Sequence, residues 1–262
     1  MAPVKVFGPA AFANVARVLV CLEEVGADYE VVDIDFMALE HKSPEHLTRN
    51  PFGQIPAFQD GDLILFAQRL CLNADGGTAE HVHHRQYEYA LTLYTKFHSA
   101  RSTEVFGNGE SRAISKYVIH KYKMNEANLM REGNLKEATM VDIWTEVEAH
   151  TYNPALSPVV YECLFNPLLQ GIPTNQKVVD ESLEKLKKVL EIYEEHLSKH
   201  KYLAGDFISF ADLNHFPYTF YFMATPHAVL FDSYPHVKAW WESLVARPSI
   251  KKLGASMAAL TT

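Results

Sequence analysis

Apolar residues flank a single polar one at the start of the chain: Val4, Val6 and Phe7 surround Lys5, and Gly8-Pro9 follows. That pattern predicts a strand ending in a turn. Val15, Val18, Leu19, Leu22 and Val25 then recur at helical spacing, with Asn14 placed to cap the helix and Gly26 to stop it. Residues 29–34 are rich in β-branched side chains and read as a second strand. A short polar stretch, 42–50, reads as an irregular helix. Residues 57–59 and 63–66 flank Asp60-Gly61-Asp62, a hairpin signal. The predicted order is strand, helix, strand, irregular helix and two hairpin strands.

From about residue 126 the period becomes helical throughout. Residues 135–150 are amphipathic. Leu183, Leu186, Leu190, Tyr193 and Leu197 form one apolar stripe opposite Glu and Lys. Asn153-Pro154, Ser157-Pro158 and Gly171-Ile172-Pro173 are expected to break the helices. Ser209-Phe210-Ala211-Asp212 has the form of a capping box, with Ile208 and Leu213 as its apolar staple and a buried helix over 216–222. Losing such a cap costs roughly 0.5–2 kcal/mol.

The segment Asn50-Pro51-Phe52-Gly53-Gln54-Ile55-Pro56-Ala57-Phe58 fits neither a helix nor a central strand. A cis bond before Pro56 would turn the Gln54-Ile55 main chain outward, leaving an N–H and a C=O for an extended ligand. An ordinary proline-rich loop is the plainer alternative.

Charge narrows the possible partners. Lys and Arg number 24 against 32 Asp and Glu, for a net charge of −8, with no basic block. Nucleic acid is therefore not an expected partner. Cys21, Cys71 and Cys163 lie far apart and form no CxxC pair, which fits a reducing, cytoplasmic setting. No signal-peptide pattern opens the chain. The most apolar stretch, 216–230, is short and interrupted by Pro217, Pro226 and His227, so no membrane span is expected.

Together these residues resemble a glutathione transferase, most closely the plant phi class. The likeness is carried by residues 4–8 and 14–26, by Glu40-His41-Lys42-Ser43-Pro44-Glu45-His46-Leu47, and by residues 50–66. It continues in Glu110-Ser111-Arg112-Ala113-Ile114, Leu203-Ala204-Gly205 and residues 209–212. It implies a two-domain α+β fold. Residues 1–125 would form a thioredoxin-like domain with a mixed four-stranded sheet and helices. Residues 134–262 would form an all-α helical bundle. It also implies a homodimer that uses glutathione as co-substrate and conjugates it to hydrophobic electrophiles, without a metal.

By the same resemblance, Glu110 and Ser111 would hold the γ-glutamyl end of glutathione, where a helix start offers unpaired N–H groups. His41 and Lys42 would face the glycyl carboxylate. Gln54 and the Ile55 main chain would hold the cysteinyl portion. Phe52 resembles the aromatic that plugs into the partner subunit. Ala11, Phe12 and Phe36 would line the acceptor pocket between the domains. Read without the resemblance, Glu110-Ser111 is only a helix cap, Lys42 a solvated lysine and Phe52 a packing residue.

One expected group is missing. The phi class carries a serine or threonine after the first strand, whose hydroxyl donates to the glutathione sulfur. Here the sequence reads Gly8-Pro9-Ala10-Ala11-Phe12-Ala13-Asn14, with Phe12 and Ala13 at the hydroxyl positions. A free thiol has a pKa near ~8.5 and is only a few per cent ionised at neutral pH. Lowering it by about two units needs roughly 2.7 kcal/mol. One hydrogen bond to a charged acceptor supplies about 1.5–3 kcal/mol. Main-chain N–H groups near Ala13 and Asn14 and the Asn14 amide are what remain. Cys21, two turns into the helix, is expected to be a core residue. Weak conjugation is the expectation; a non-catalytic binder of glutathione or apolar ligands is the alternative.

Residues 67–109 interrupt the resemblance, as an extra loop insertion or as retained intron sequence in an impaired splice product. Within them lie Gly76-Gly77, a possible short helix over 87–97, and His81, His83 and His84, which lack a fourth ligand at metal-site spacing.

Overall fold

Lys5 points to solvent while Val4, Val6 and Phe7 are buried, and these four residues form β1, Val4–Phe7. In the computed structural model, which describes residues 3–67, 111–122 and 128–260, β1 lies at the heart of a mixed four-stranded sheet. Its partners are β2 (Tyr29–Val32), β3 (Ala57–Asp60) and β4 (Leu63–Phe66), in the order β2-β1-β3-β4. β1 and β2 are parallel, with Val6 opposite Val31; β1–β3 and β3–β4 are antiparallel. A parallel pair needs a crossover, and α1, Ala13–Val25, supplies it. Val15, Val18, Leu19, Leu22 and Val25 are all buried, as their spacing predicts.

Two details differ from the sequence reading. Asn14 is not the cap of α1, because the helix already begins at Ala13 and Asn14 lies in its first turn. The second strand stops at Val32 rather than 34, where the Asp33 carboxylate takes the Ile34 N–H at 3.1 Å and bends the chain out of the ladder. The irregular polar segment resolves into a 3₁₀ turn, Glu40–Lys42, and α2, Pro44–Arg49. Ser43 caps α2 by accepting from the His46 N–H at 3.2 Å.

The chain divides into two compact units, Met1–Val15 with Asp28–Ile114, and Ala16–Ala27 with Ser115–Thr262. The first holds the sheet. The second is helical: most of α3 (Ser111–Lys121), then α4 (Leu135–Val147), α5 (Asn153–Val160), α6 (Gln176–Leu197), α7 (Phe210–Phe222), α8 (Pro235–Val245) and α9 (Pro248–Ala258).

The breaks expected at Pro154 and Pro158 do not occur. The chain stays helical from α4 through α5, with π turns at Glu148–Tyr152 and Tyr161–Gln170 on either side of the proline-bearing segment. Pro154 sits beside the first π turn and Pro158 lies inside α5 itself. Gly171 ends this run as expected. On α6 the buried stripe runs Val179, Leu186, Val189, Leu190, Tyr193 and Leu197, while Leu183 is only half-buried.

The core of the helical unit is α7, buried along almost its whole length. Its reciprocal Ser209/Asp212 cap forms as the sequence predicts. Arg17 and Glu148 are both buried, 3.6 Å apart, and Asn214 donates to Glu148 at 2.6 Å. Cys21 is fully buried, and burial pushes its thiol up to about 12, so it is an inert core residue.

The insertion, with Cys71, the 87–97 segment, the three histidines and Glu110, lies outside the described residues apart from Ala67. Among the described residues no helix is long and apolar enough to cross a membrane, and no cluster of three metal-ligating side chains occurs.

Candidate functional site

The turn after β1 is tight by necessity. Gly8 has φ +137°, and a Cβ there would stand 2.9 Å from Val15 and 3.2 Å from Ile55. The Phe12 N–H closes the turn on the Pro9 carbonyl at 2.9 Å. Ala11 and Phe12 are half-exposed, and Ala13 is the buried first residue of α1. The Phe12 ring meets Phe36 at 5.2 Å, and Phe36 stacks on His41 at 4.1 Å with an interplanar angle of 11°. The position expected to lack a hydroxyl therefore ends an aromatic row.

His41 is buried, and its Nδ1 has no hydrogen-bond partner among the described residues. Lys42 donates to the Phe52 carbonyl at 3.1 Å. These contacts bring the His41-Lys42 pair against the proline kink. Gly53 lies at their junction with φ +57°; a Cβ there would stand 2.8 Å from Lys42 Cδ and 2.9 Å from the His41 carbonyl. Gly53→Ala should cost about 1–3 kcal/mol and weaken any ligand held by the kink. An unchanged melting temperature would contradict this packing.

The Ile55–Pro56 bond is cis, but only part of the expected docking edge is open. The Gln54 carbonyl is not available to a ligand. It accepts from His46 Nε2 at 2.9 Å and from Asn50 Nδ2 at 2.9 Å. Asn50 is fully buried, also donates to the Ala67 carbonyl at 2.8 Å, and accepts the Phe52 N–H at 3.0 Å. Among the described residues the Ile55 N–H and C=O have no partner. Among the described residues the unpaired part of this edge is thus Ile55 alone. The half-buried Gln54 side chain lies beside it.

Ser111, the first residue of α3, is buried, and its Oγ lies 3.4 Å from Asn14 Oδ1 as a donor. The starts of α1 and α3 therefore meet. Phe52 is half-exposed and packs on Phe66 at 5.9 Å.

Sequence reasoning missed His46 and Asn50 as builders of the kink. Their spacing was the available signal: residues four apart share a helix face, and here that face carries both donors to one carbonyl. Burial holds His41 and His46 below the usual imidazole range, and Lys42 pushes both the same way. Arg49 also lowers His46, while Glu45 and the Gln54 hydrogen bond oppose the shift. Because the folded pKa values are depressed, this stability is complete above about pH 6.5 and lost as the pH falls through the folded values. The melting temperature should therefore drop on acidification below about pH 6.5. A flat profile down to pH ~5 would show these rings to be solvated.

Residues 2–69 match the family model described as Glutathione S-transferase, N-terminal domain, and residues 152–248 match Glutathione S-transferase, C-terminal domain. The chain belongs to the glutathione S-transferase family. Its relatives place it in the plant phi class. A rice protein, probable glutathione S-transferase GSTF1, is 64% identical over 98% of both chains. Maize glutathione S-transferase 1 is 49% identical over 98% of both chains. Among solved structures, maize glutathione S-transferase I in complex with an atrazine glutathione conjugate is 49% identical, with a TM-score of 0.77, covering 98% of this chain and 99% of that one. Glutathione transferase F7 from Populus trichocarpa is 42% identical, with a TM-score of 0.78, covering 97% and 99%.

Proposed function

We propose that this protein binds glutathione along Ile55 and conjugates its thiol to hydrophobic electrophiles, with weak turnover. The observation that carries the reading is the Ile55 main chain, which has no hydrogen-bond partner among the described residues and is held beside the His41-Lys42 pair by the bonds of Lys42, His46 and Asn50 to the kink. The cysteinyl main chain of the tripeptide would pair with Ile55, with Gln54 beside it. Its glycyl carboxylate would face His41 and Lys42. Its acidic head would face Ser111, together with Glu110. The remaining features of the proposal rest on family likeness and composition: domains at 1–125 and 134–262, a homodimer contact at Phe52, and a cytoplasmic setting.

Weak turnover follows from Phe12 and Ala13. Binding depends on main-chain and charged groups that are present, whereas thiol ionisation depends on a hydroxyl that neither residue has. The aromatic row of Phe12, Phe36 and His41 favours a second reading, a binder of glutathione or apolar ligands without turnover. Retention on immobilised glutathione, run beside a chlorodinitrobenzene conjugation assay, separates them. Retention with slow turnover is expected. Retention without turnover supports the second reading, and no retention contradicts both.

A further inference from the structure

We propose that His46 is a positioning residue for glutathione, acting through the Gln54–Ile55 peptide; this rests on the reading above that glutathione pairs with Ile55. His46 is 1% exposed. Among the described residues its side chain makes one hydrogen bond, from Nε2 to the Gln54 carbonyl at 2.9 Å, and Nδ1 has no partner. A carbonyl only accepts, so Nε2 carries the proton. Burying a ring with half its polar capacity unfilled costs free energy that an apolar side chain of similar size would not. The fold gains little from that bond, since Asn50 already ties Gln54, Phe52 and Ala67 together.

What the bond fixes is direction. A peptide unit is planar, and in the trans form its C=O and the following N–H point to opposite sides. Drawing the Gln54 carbonyl toward α2 therefore aims the Ile55 N–H away from α2. With a single tether at Asn50 the peptide plane could rotate about its ends. Two donors on one oxygen hold it, and the ligand meets an N–H already oriented.

The test compares His46→Leu, which fills similar volume without a donor, with His46→Gln, whose amide reaches the same carbonyl. Glutathione affinity is measured by calorimetry on the full chain, and the melting temperature alongside it. His46→Leu should lose about 10-fold or more in affinity while melting no lower than the unaltered protein. His46→Gln should stay within about 3-fold of it. The proposal is overturned if His46→Leu binds as tightly as the unaltered chain, or if His46→Gln binds no better than His46→Leu. It is equally overturned if His46→Leu fails to fold, because the ring would then serve the fold. If the unaltered protein does not bind glutathione, the parent reading falls and this proposal falls with it.

Discussion

Phe12→Ser should raise turnover roughly 10- to 100-fold at neutral pH, the kinetic equivalent of one hydrogen bond to a charged sulfur. The Phe12 position suits the test because its main chain is already fixed. Its N–H closes the turn on Pro9, and neighbouring Gly8 is packed against Val15 and Ile55. Removing the ring leaves the Phe36–His41 stack in place. The gain must also depend on pH. A hydroxyl helps by shifting the thiol toward thiolate, so its advantage is largest well below the free thiol pKa of ~8.5 and shrinks above it. Steady-state kinetics across that range check both points. A constant ratio across pH would mean that the ring had merely obstructed the site. No gain at any pH would refute the placement of the sulfur near Phe12.

Asp212→Ala should cost about 3–5 kcal/mol, since several buried donors lose their acceptor at roughly 1–3 kcal/mol each, enough to compromise a domain whose whole stability is ~5–15 kcal/mol. Asp212 is fully buried. One oxygen accepts from the Leu203 N–H at 2.9 Å and from Trp240 Nε1 at 3.0 Å. The other accepts from the Ser209 N–H at 2.9 Å and the Ser209 hydroxyl at 2.8 Å. Burial nevertheless raises the carboxyl pKa, against all of these donors. The damage comes from the donors left buried and unpaired when the acceptor goes. Asp212→Asn should also destabilise, because its NH2 would face donors on one side. Denaturant unfolding followed by Trp240 fluorescence measures both variants. A loss below about 2 kcal/mol in Asp212→Ala would reduce the network to an ordinary cap.

Much of this architecture was legible in the sequence because the signals were local. The alternation around Lys5, the helical spacing from Val15 to Val25 and the Asp60-Gly61-Asp62 turn each report on a few neighbouring residues. Ser209 and Asp212 form their cap across three residues, and it appears as read. The prolines at 154 and 158 misled for the opposite reason. Their effect depends on the surrounding structure, and here the chain continues as helix through both, with Pro158 inside α5.

The candidate site divides in the same way. The kink, and the absence of a side-chain hydroxyl at Phe12 and Ala13, were visible as residue types. The occupation of the Gln54 carbonyl by His46 and Asn50 was not, because it depends on how α2 folds back on the turn. Neither was the meeting of Asn14 with Ser111, which lie far apart in the chain and touch only through the fold.

The most direct test of the account is the pKa of the thiol of glutathione bound to the unaltered protein, read from thiolate ultraviolet absorbance during a pH titration. The account predicts binding with a thiol pKa close to the free value of ~8.5. A bound thiol ionising below about pH 7 would mean that some other group performs the missing hydroxyl's task, and would contradict it.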